Sequence, residues 1–231
     1  MKILQACTCI LVIFLSCSSN DDQNEDQLDN SQDSFVLWRT IDLIATVNGA
    51  DLDDEVVLRF SDGTVTKDVD NIFSSSIEDL KSKNPDHWGV SRIVDGKLEI
   101  DWEENGEYST FFNSFEIAPV TSSDFKFTDC YKITGGVSTG IGDLEIHSFS
   151  IEKVFFGDNG RFSFQSSTAV IGAGGSSASI RPDENGSYTI NKYQIELLFD
   201  NGNSVVTTFG LDTDDESSFM SIGKDVYYRC K

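Results

Sequence analysis

Proline and histidine are scarce in this chain, with three and two residues among 231, so collagen-like, proline-rich and histidine-rich metal-binding classes are excluded. Bases are short too. Seventeen Lys+Arg face 39 Asp+Glu, a formal net charge of −22. So negative a chain repels nucleic acid and anionic lipid headgroups, and nucleic acid is not expected as a partner. No apolar run approaches the roughly 20 residues that a membrane-spanning helix needs. Hydrophobic residues still make up 39% and aromatics 11%. A body of about 200 residues with that content can bury roughly 70% of its unfolded surface in one or two domains.

The amino terminus reads as an address. Met1-Lys2 precedes an apolar run from Ile3 to Leu15, and Ser16-Cys17 closes it, the pattern of a secretory signal over residues 1–16. Phe14-Leu15-Ser16-Cys17 resembles the lipobox of bacterial lipoproteins, with Phe where Leu is usual three residues before the cysteine. The resemblance implies that Cys17 becomes the new first residue and carries acyl chains such as palmitate. Cys17-Ser18-Ser19-Asn20-Asp21-Asp22 is similar to the start of surface-exposed lipoproteins of the Bacteroidota, which implies anchoring in the outer membrane and display on its outer leaflet. A plain signal with a chance cysteine is the other reading. From Ser18 to Ser34 there are six acids, no base and one larger aliphatic, Leu28. Residues 17–34 are therefore expected to form a lipidated cysteine and a disordered acidic tether.

Five cysteines occur; Cys7 and Cys9 leave with the signal and Cys17 takes lipid. Cys130 and Cys230 remain, and an extracytoplasmic pair is expected to join. Two separate buried thiols are the alternative.

From Phe35 onward the dominant period is two. Val56 to Phe60 runs into Asp62-Gly63, Lys97 to Trp102 into Asn105-Gly106, and Tyr193 to Phe199 into Asn201-Gly202. Alternation bounded by Asn-Gly or Asp-Gly marks hairpins, because these residues tolerate positive φ. Asp95-Gly96, Asn159-Gly160 and Asn185-Gly186 give further turn signals. The fold class is all-β: an antiparallel meander, either a barrel or a β-sandwich, with one short helix. Ser75 and Glu78 have capping-box spacing for that helix, Ile77 and Leu80 share a face, and Asn84-Pro85 ends it. Alternation predicts Leu98, Ile100, Ile195 and Leu197 inside, with Glu99, Asp101 and Glu196 outside.

A weak repeat relates Gly89 to Gly106 and Gly186 to Gly202, dividing the body into a β half over 35–120 and another over 124–231. Chance likeness between two hairpins explains it nearly as well. The strand rhythm and Gly-x-Tyr openings of the second half resemble the lipocalin-like domains of small bacterial lipoproteins, which implies a barrel with a ligand cavity. A Cys130–Cys230 bond would tie its first strand to its last.

Motifs for chemistry are sparse. His87 and His147 have no partner at metal spacing, so packing beside Trp88 and exposure on a strand are their expected roles. Asp51–Glu55 and Asp212–Glu216 alternate carboxylates without completing a calcium loop, and read as solvated turns. The glycine-rich segments Gly135–Gly140 and Gly172–Ser177 lack a phosphate-loop lysine and read as flexible hairpin connections, which in a barrel would border its mouth. No cofactor, metal or catalytic set is expected, and the protein is not read as an enzyme. Seventeen Phe, six Tyr and three Trp point instead to binding. The first reading is a surface lipoprotein holding a small apolar or amphipathic ligand in a β-barrel cavity, with Trp88, Trp102 and Phe199 as candidate contacts. The alternative is an adhesion or recognition module that meets glycan or protein through exposed aromatics, Trp38, Trp88 and Trp102 among them.

Overall fold

A computed structural model describes residues 34–46, 49–111, 114–117, 119, 125–126, 129–139, 146–172, 175–180, 183–211 and 219–230. Two antiparallel sheets account for nearly all of it. The first holds β1 (Phe35–Thr46), β2 (Gly49–Phe60), β3 (Thr64–Thr66), β4 (Trp88–Val94), β5 (Lys97–Asp101), β6 (Ser109–Thr110) and β7 (Phe115–Ile117). Its order is β6-β5-β4-β3-β2-β1-β7, a curled half-barrel that stays open. The second holds β8 (Cys130–Thr139), β9 (Ile146–Phe156), β10 (Arg161–Gly172), β11 (Gly175–Ile180), β12 (Glu184–Asn191), β13 (Gln194–Phe199), β14 (Ser204–Leu211), β15 (Phe219–Ile222) and β16 (Asp225–Arg229). Eight of these close into a barrel in chain order, through the β9–β10 and β16–β8 pairs, and β11 hangs on β10 outside the ring.

The turn chemistry explains most of this meander. Gly63, Gly96, Gly106, Gly160 and Gly202 all have positive φ, and Asp95 joins Gly96 in a tight two-residue β4–β5 turn. Asn185-Gly186 does otherwise. It lies inside β12, where a Cβ on Gly186 would stand 2.3 Å from the Leu198 carbonyl and 2.6 Å from the Phe162 ring. The glycine answers a close approach across the sheet, not a turn.

The helix α1 (Ile77–Lys83) is capped by Ser76, whose hydroxyl accepts from the Asp79 amide at 3.1 Å, one residue later than the Ser75 spacing predicts. Ile77 and Leu80 face inward, and Asn84-Pro85 ends it in a short 3-10 turn. Leu98, Ile100, Ile195 and Leu197 are buried and Glu196 is exposed. Asp101, expected outside, is 2% exposed. Its carboxylate accepts from the amides of Glu103, Asn105 and Gly106 at 2.7–3.3 Å, which removes the cost of burying it. The acidic segment 51–55 lies within β2, not in a turn; Asp54 meets Arg39, and Glu55 pairs with Lys67 at 2.7 Å. Asp212–Glu216 lies outside the described residues.

Three apolar clusters divide the interior. Trp38, Val57, Val65, Leu98 and Ile100 cluster on one face of the open sheet, with Trp102 and Phe111 against them. On its other face Phe35, Leu37, Val56, Leu58 and Phe60 meet Ile77, Leu80 and Trp88, together with Tyr193, Phe219 and Val226 from the outside of the barrel. The barrel is thus docked on the sheet. The third cluster fills the barrel with Tyr131, Phe156, Phe162, Tyr188, Phe209, Met220 and Tyr227 among others.

Polar contacts cross the docked faces. Arg39 of β1 is 1% exposed, donates to Asp54 of β2 at 2.5 Å and to the Tyr228 hydroxyl of β16 at 2.6 Å, and lies 3.8 Å from the centre of the Phe219 ring. Tyr228 in turn donates to Asp54. Tyr193 adds a 3.0 Å hydrogen bond to the carbonyl of Ile117.

Cys130 and Cys230 are bonded, with Cα atoms 5.3 Å apart. The bridge sits beside the β8–β16 ladder, which pairs only Tyr228 with Lys132 and Arg229 with Tyr131.

Candidate functional site

The barrel strands are not equally long, and that difference makes the candidate site. Arg161–Phe164 of β10 pairs with β12, but above Phe164 that edge of β10 passes to β11, through the Ser167–Ile180 pair and beyond. β8, β9, β10 and β11 therefore run on past the barrel as a four-stranded apron. Alternation carries the inward face upward from Ile133, Glu152 and Phe164 to Gly135, Ser150, Ser166 and Thr168. The inner face just above the mouth is made of small and hydroxylated residues, with Val170 higher up.

At its foot lie Phe164 and Phe199, half-buried and stacked with ring centres 6.4 Å apart. Both set their edges against Phe162, at 5.4 and 5.2 Å. Phe162 is buried, and its ring occupies the space that a side chain at position 186 would take. Deeper in, the Tyr227 hydroxyl donates to Glu152 at 2.5 Å. Burial, then that hydrogen bond and the Glu152 charge, raises the Tyr227 phenol far above its ordinary range. The mouth thus offers an aromatic floor and a hydroxyl-bearing wall above the aromatic cluster that fills the barrel.

The apron's outer face is different. Phe149, Ile151, Phe155 and Ile180 are 37–79% exposed, and Ile151, Ser167 and Ile180 adjoin across the ladder. From Phe162 to Ile180 the sequence holds no Asp, Glu, Lys or Arg, in a chain that is 24% charged. β11 is the terminal strand of the sheet.

The sequence-derived candidates are scattered. Phe199 stands at the mouth. Trp102 is half-buried against the Trp38–Ile100 cluster of the open sheet, with the Lys67 ammonium 4.4 Å from its ring. Trp88 is 5% exposed, stacked on Phe60 at 6.1 Å in the cluster between sheet and barrel. Trp38 is likewise 5% exposed. Trp38 and Trp88 are core residues and are not presented to a glycan or protein surface. Cys17 lies outside the described residues, as does the side chain of His147.

His87 does not pack on Trp88 alone. Asp68, 6% exposed, accepts from Asn84 at 3.0 Å and from the Trp88 indole at 3.1 Å, and lies 2.8 Å from His87 Nδ1. One buried carboxylate thus organises the Asn84–Trp88 turn, a role that no local motif announces. Among the described residues no group of three or more His, Cys, Asp or Glu is placed to hold a metal ion. Among the described residues no helix is long and apolar enough to cross a membrane. Comparison with protein families, curated proteins and solved structures finds no match to this chain.

Proposed function

We propose that this chain is a non-enzymatic, lipid-anchored protein of the outer cell surface that binds a small apolar or amphipathic ligand at the mouth of its C-terminal barrel. The observation that carries the reading is the Phe164–Phe199 pair, two large apolar rings left half in solvent under a wall of serine and threonine. An apolar tail would lie on the rings and a polar head would meet the hydroxyls. The packed barrel interior argues for the mouth over a deep cavity. The lipobox at Cys17 and the acidic stretch behind it support the anchor and the address.

Titration with the neutral fluorescent probe N-phenyl-1-naphthylamine tests the site. Saturable one-site binding is expected, weakened about tenfold by Phe199→Ser or Phe164→Ser, since each removes roughly 1–2 kcal/mol of apolar contact. Binding that neither change weakens would overturn the proposal. Cys17→Ala should release the protein from the outer membrane fraction; unchanged partitioning defeats the anchor. A second reading, recognition of a protein or glycan, is favoured by the outward Phe149 and Phe155. In that case Phe149→Ser would abolish cell-surface attachment while leaving probe binding intact.

A further inference from the structure

A groove also lies at the mouth end of the barrel, where the segment between β3 and α1 meets β14, β15 and β16. Its volume is about 430 Å³, and it is walled on one side by Asp70, Asn71 and Ser74 of that segment. Across from them stand Ser204 to Thr207 of β14, Ile222 of β15 and Asp225 of β16.

Two features of this groove ask for a ligand. Thr207 is 4% exposed, and its buried hydroxyl has no hydrogen-bond partner. A buried hydroxyl left without a partner costs about 1–3 kcal/mol, so a group that satisfied it would bind favourably. The second is the space beside it. Gly223 has a positive φ, and a Cβ there would stand 1.9 Å from Asp70 Oδ1 and 3.1 Å from Thr207 Oγ1. The glycine leaves a carboxylate and an orphan hydroxyl converging over one bare α-carbon.

The charge of the groove sets the sign of the ligand. Asp70 is held in place by accepting from the Lys224 amide at 3.0 Å. Asp225 faces it from β16, and its carboxyl is raised by partial burial first and then by the Asp70 charge, with Glu152 adding to the rise and Lys224 opposing it. Two carboxylates that raise one another's energy are relieved by a cation. Two carboxylates without a third His, Cys, Asp or Glu are a poor set for a divalent metal. They suit a primary ammonium, which has three donors to spread over carboxylate and hydroxyl acceptors. Val205, Val206 and Ile222 supply apolar wall for a short alkyl stem.

We propose that the seam between sheet and barrel is a binding site for a small primary alkylammonium ligand, held by Asp70, Asp225 and the Thr207 hydroxyl. Because its walls come from both sheets, occupancy favours the docked arrangement and stabilises the fold. The site shares the barrel end that holds Phe199 and differs from the aromatic pair in ligand chemistry.

Calorimetric titration of the protein with n-butylammonium, at low and at moderate salt, tests this directly. One saturable site per chain is expected, persisting at moderate salt. Asp225→Asn and Thr207→Val should each weaken it about tenfold, the loss of one charge-assisted or buried hydrogen bond. Thr207→Val keeps the shape of the side chain, and unchanged circular dichroism establishes that the variant is folded. Glu107→Gln, an exposed acid on the open sheet, should leave the affinity unchanged. Tetramethylammonium has the same charge and no N–H, and should bind at least tenfold more weakly. Equal binding of the two ions, indifference to Thr207→Val, or sensitivity to Glu107→Gln would each reduce the effect to the protein's overall negative charge and overturn the proposal. Displacement of the amine by equimolar calcium would also overturn it, in favour of a metal.

Discussion

Arg39 is the residue on which the two sheets lean most heavily. Its guanidinium is withdrawn from water, paired with Asp54, bonded to the Tyr228 hydroxyl and laid over Phe219. Truncating one partner of a buried pair leaves the other charge uncompensated, which costs about 3–5 kcal/mol. Arg39→Ala should therefore lower the urea midpoint sharply. Arg39→Met with Asp54→Asn, which removes both charges, should recover a large part of that loss. The phenols beside this contact add a pH limit. Burial, reinforced by the Glu116 charge, lifts Tyr193 to about 12. Burial and the hydrogen bond to Asp54 lift Tyr228 to about 12 as well, against the opposing pull of Arg39. An unfolded tyrosine loses its proton near pH 10. Between about pH 10 and 12 the unfolded chain thus releases protons that the native one retains. The stability these two groups contribute is full below pH 10 and drains away as pH rises through 12. Urea midpoints measured at steps from pH 9 to 12 should fall, and Tyr193→Phe should flatten the decline.

Among the elements, the β12–β13 hairpin shows what a linear reading captures and what it misses. The alternation of Ile195 and Leu197 with Glu196, and of Leu98 and Ile100 in β5, reports burial directly because each side chain answers to one face of its own strand. Gly186 answers instead to Phe162 and Leu198 on two neighbouring strands, and looked like a turn because Asn-Gly is a local signature whereas a close approach is not. Gly186→Ala should cost several kcal/mol of stability by equilibrium unfolding, since the Leu198 carbonyl is backbone and cannot step aside. Asp101 escaped the alternation for a related reason: the loop after it closes over its carboxylate. At the mouth, Phe199 was legible from its place beside Asn201-Gly202. Phe164 was not, because its exposure arises only where β10 outruns β12, and that is decided by pairing with another part of the chain.

For the whole molecule, alternation and turn chemistry established an all-β meander but left barrel and sandwich open, since both share that rhythm. Closure is decided by two pairings, the β9–β10 hairpin and the long-range contact of β16 with β8. The second has two register pairs and leans on the Cys130–Cys230 bridge, 100 residues apart in sequence. In the chain-entropy account a loop of that length is worth up to about 4–5 kcal/mol. Reduction, or Cys130→Ala with Cys230→Ala, should lower the unfolding midpoint by that order. Amide exchange should rise first along β8 and β16. Uniform exchange across all the described strands would mean that the seam is no weaker than the rest.

The same seam sets a schedule for synthesis. The barrel's closing strand, Asp225–Arg229, also supplies Val226 and Tyr228 to the face on which the open sheet rests. A nascent chain stopped anywhere short of that strand has neither a finished barrel nor a covered first sheet. Folding of both halves must therefore wait for residues 225–230 to emerge. Until then the polypeptide is expected to stay open to protease. Pulse-labelled chains arrested before position 225 should stay fully digestible, whereas chains released beyond position 230 should acquire resistance in both halves at once.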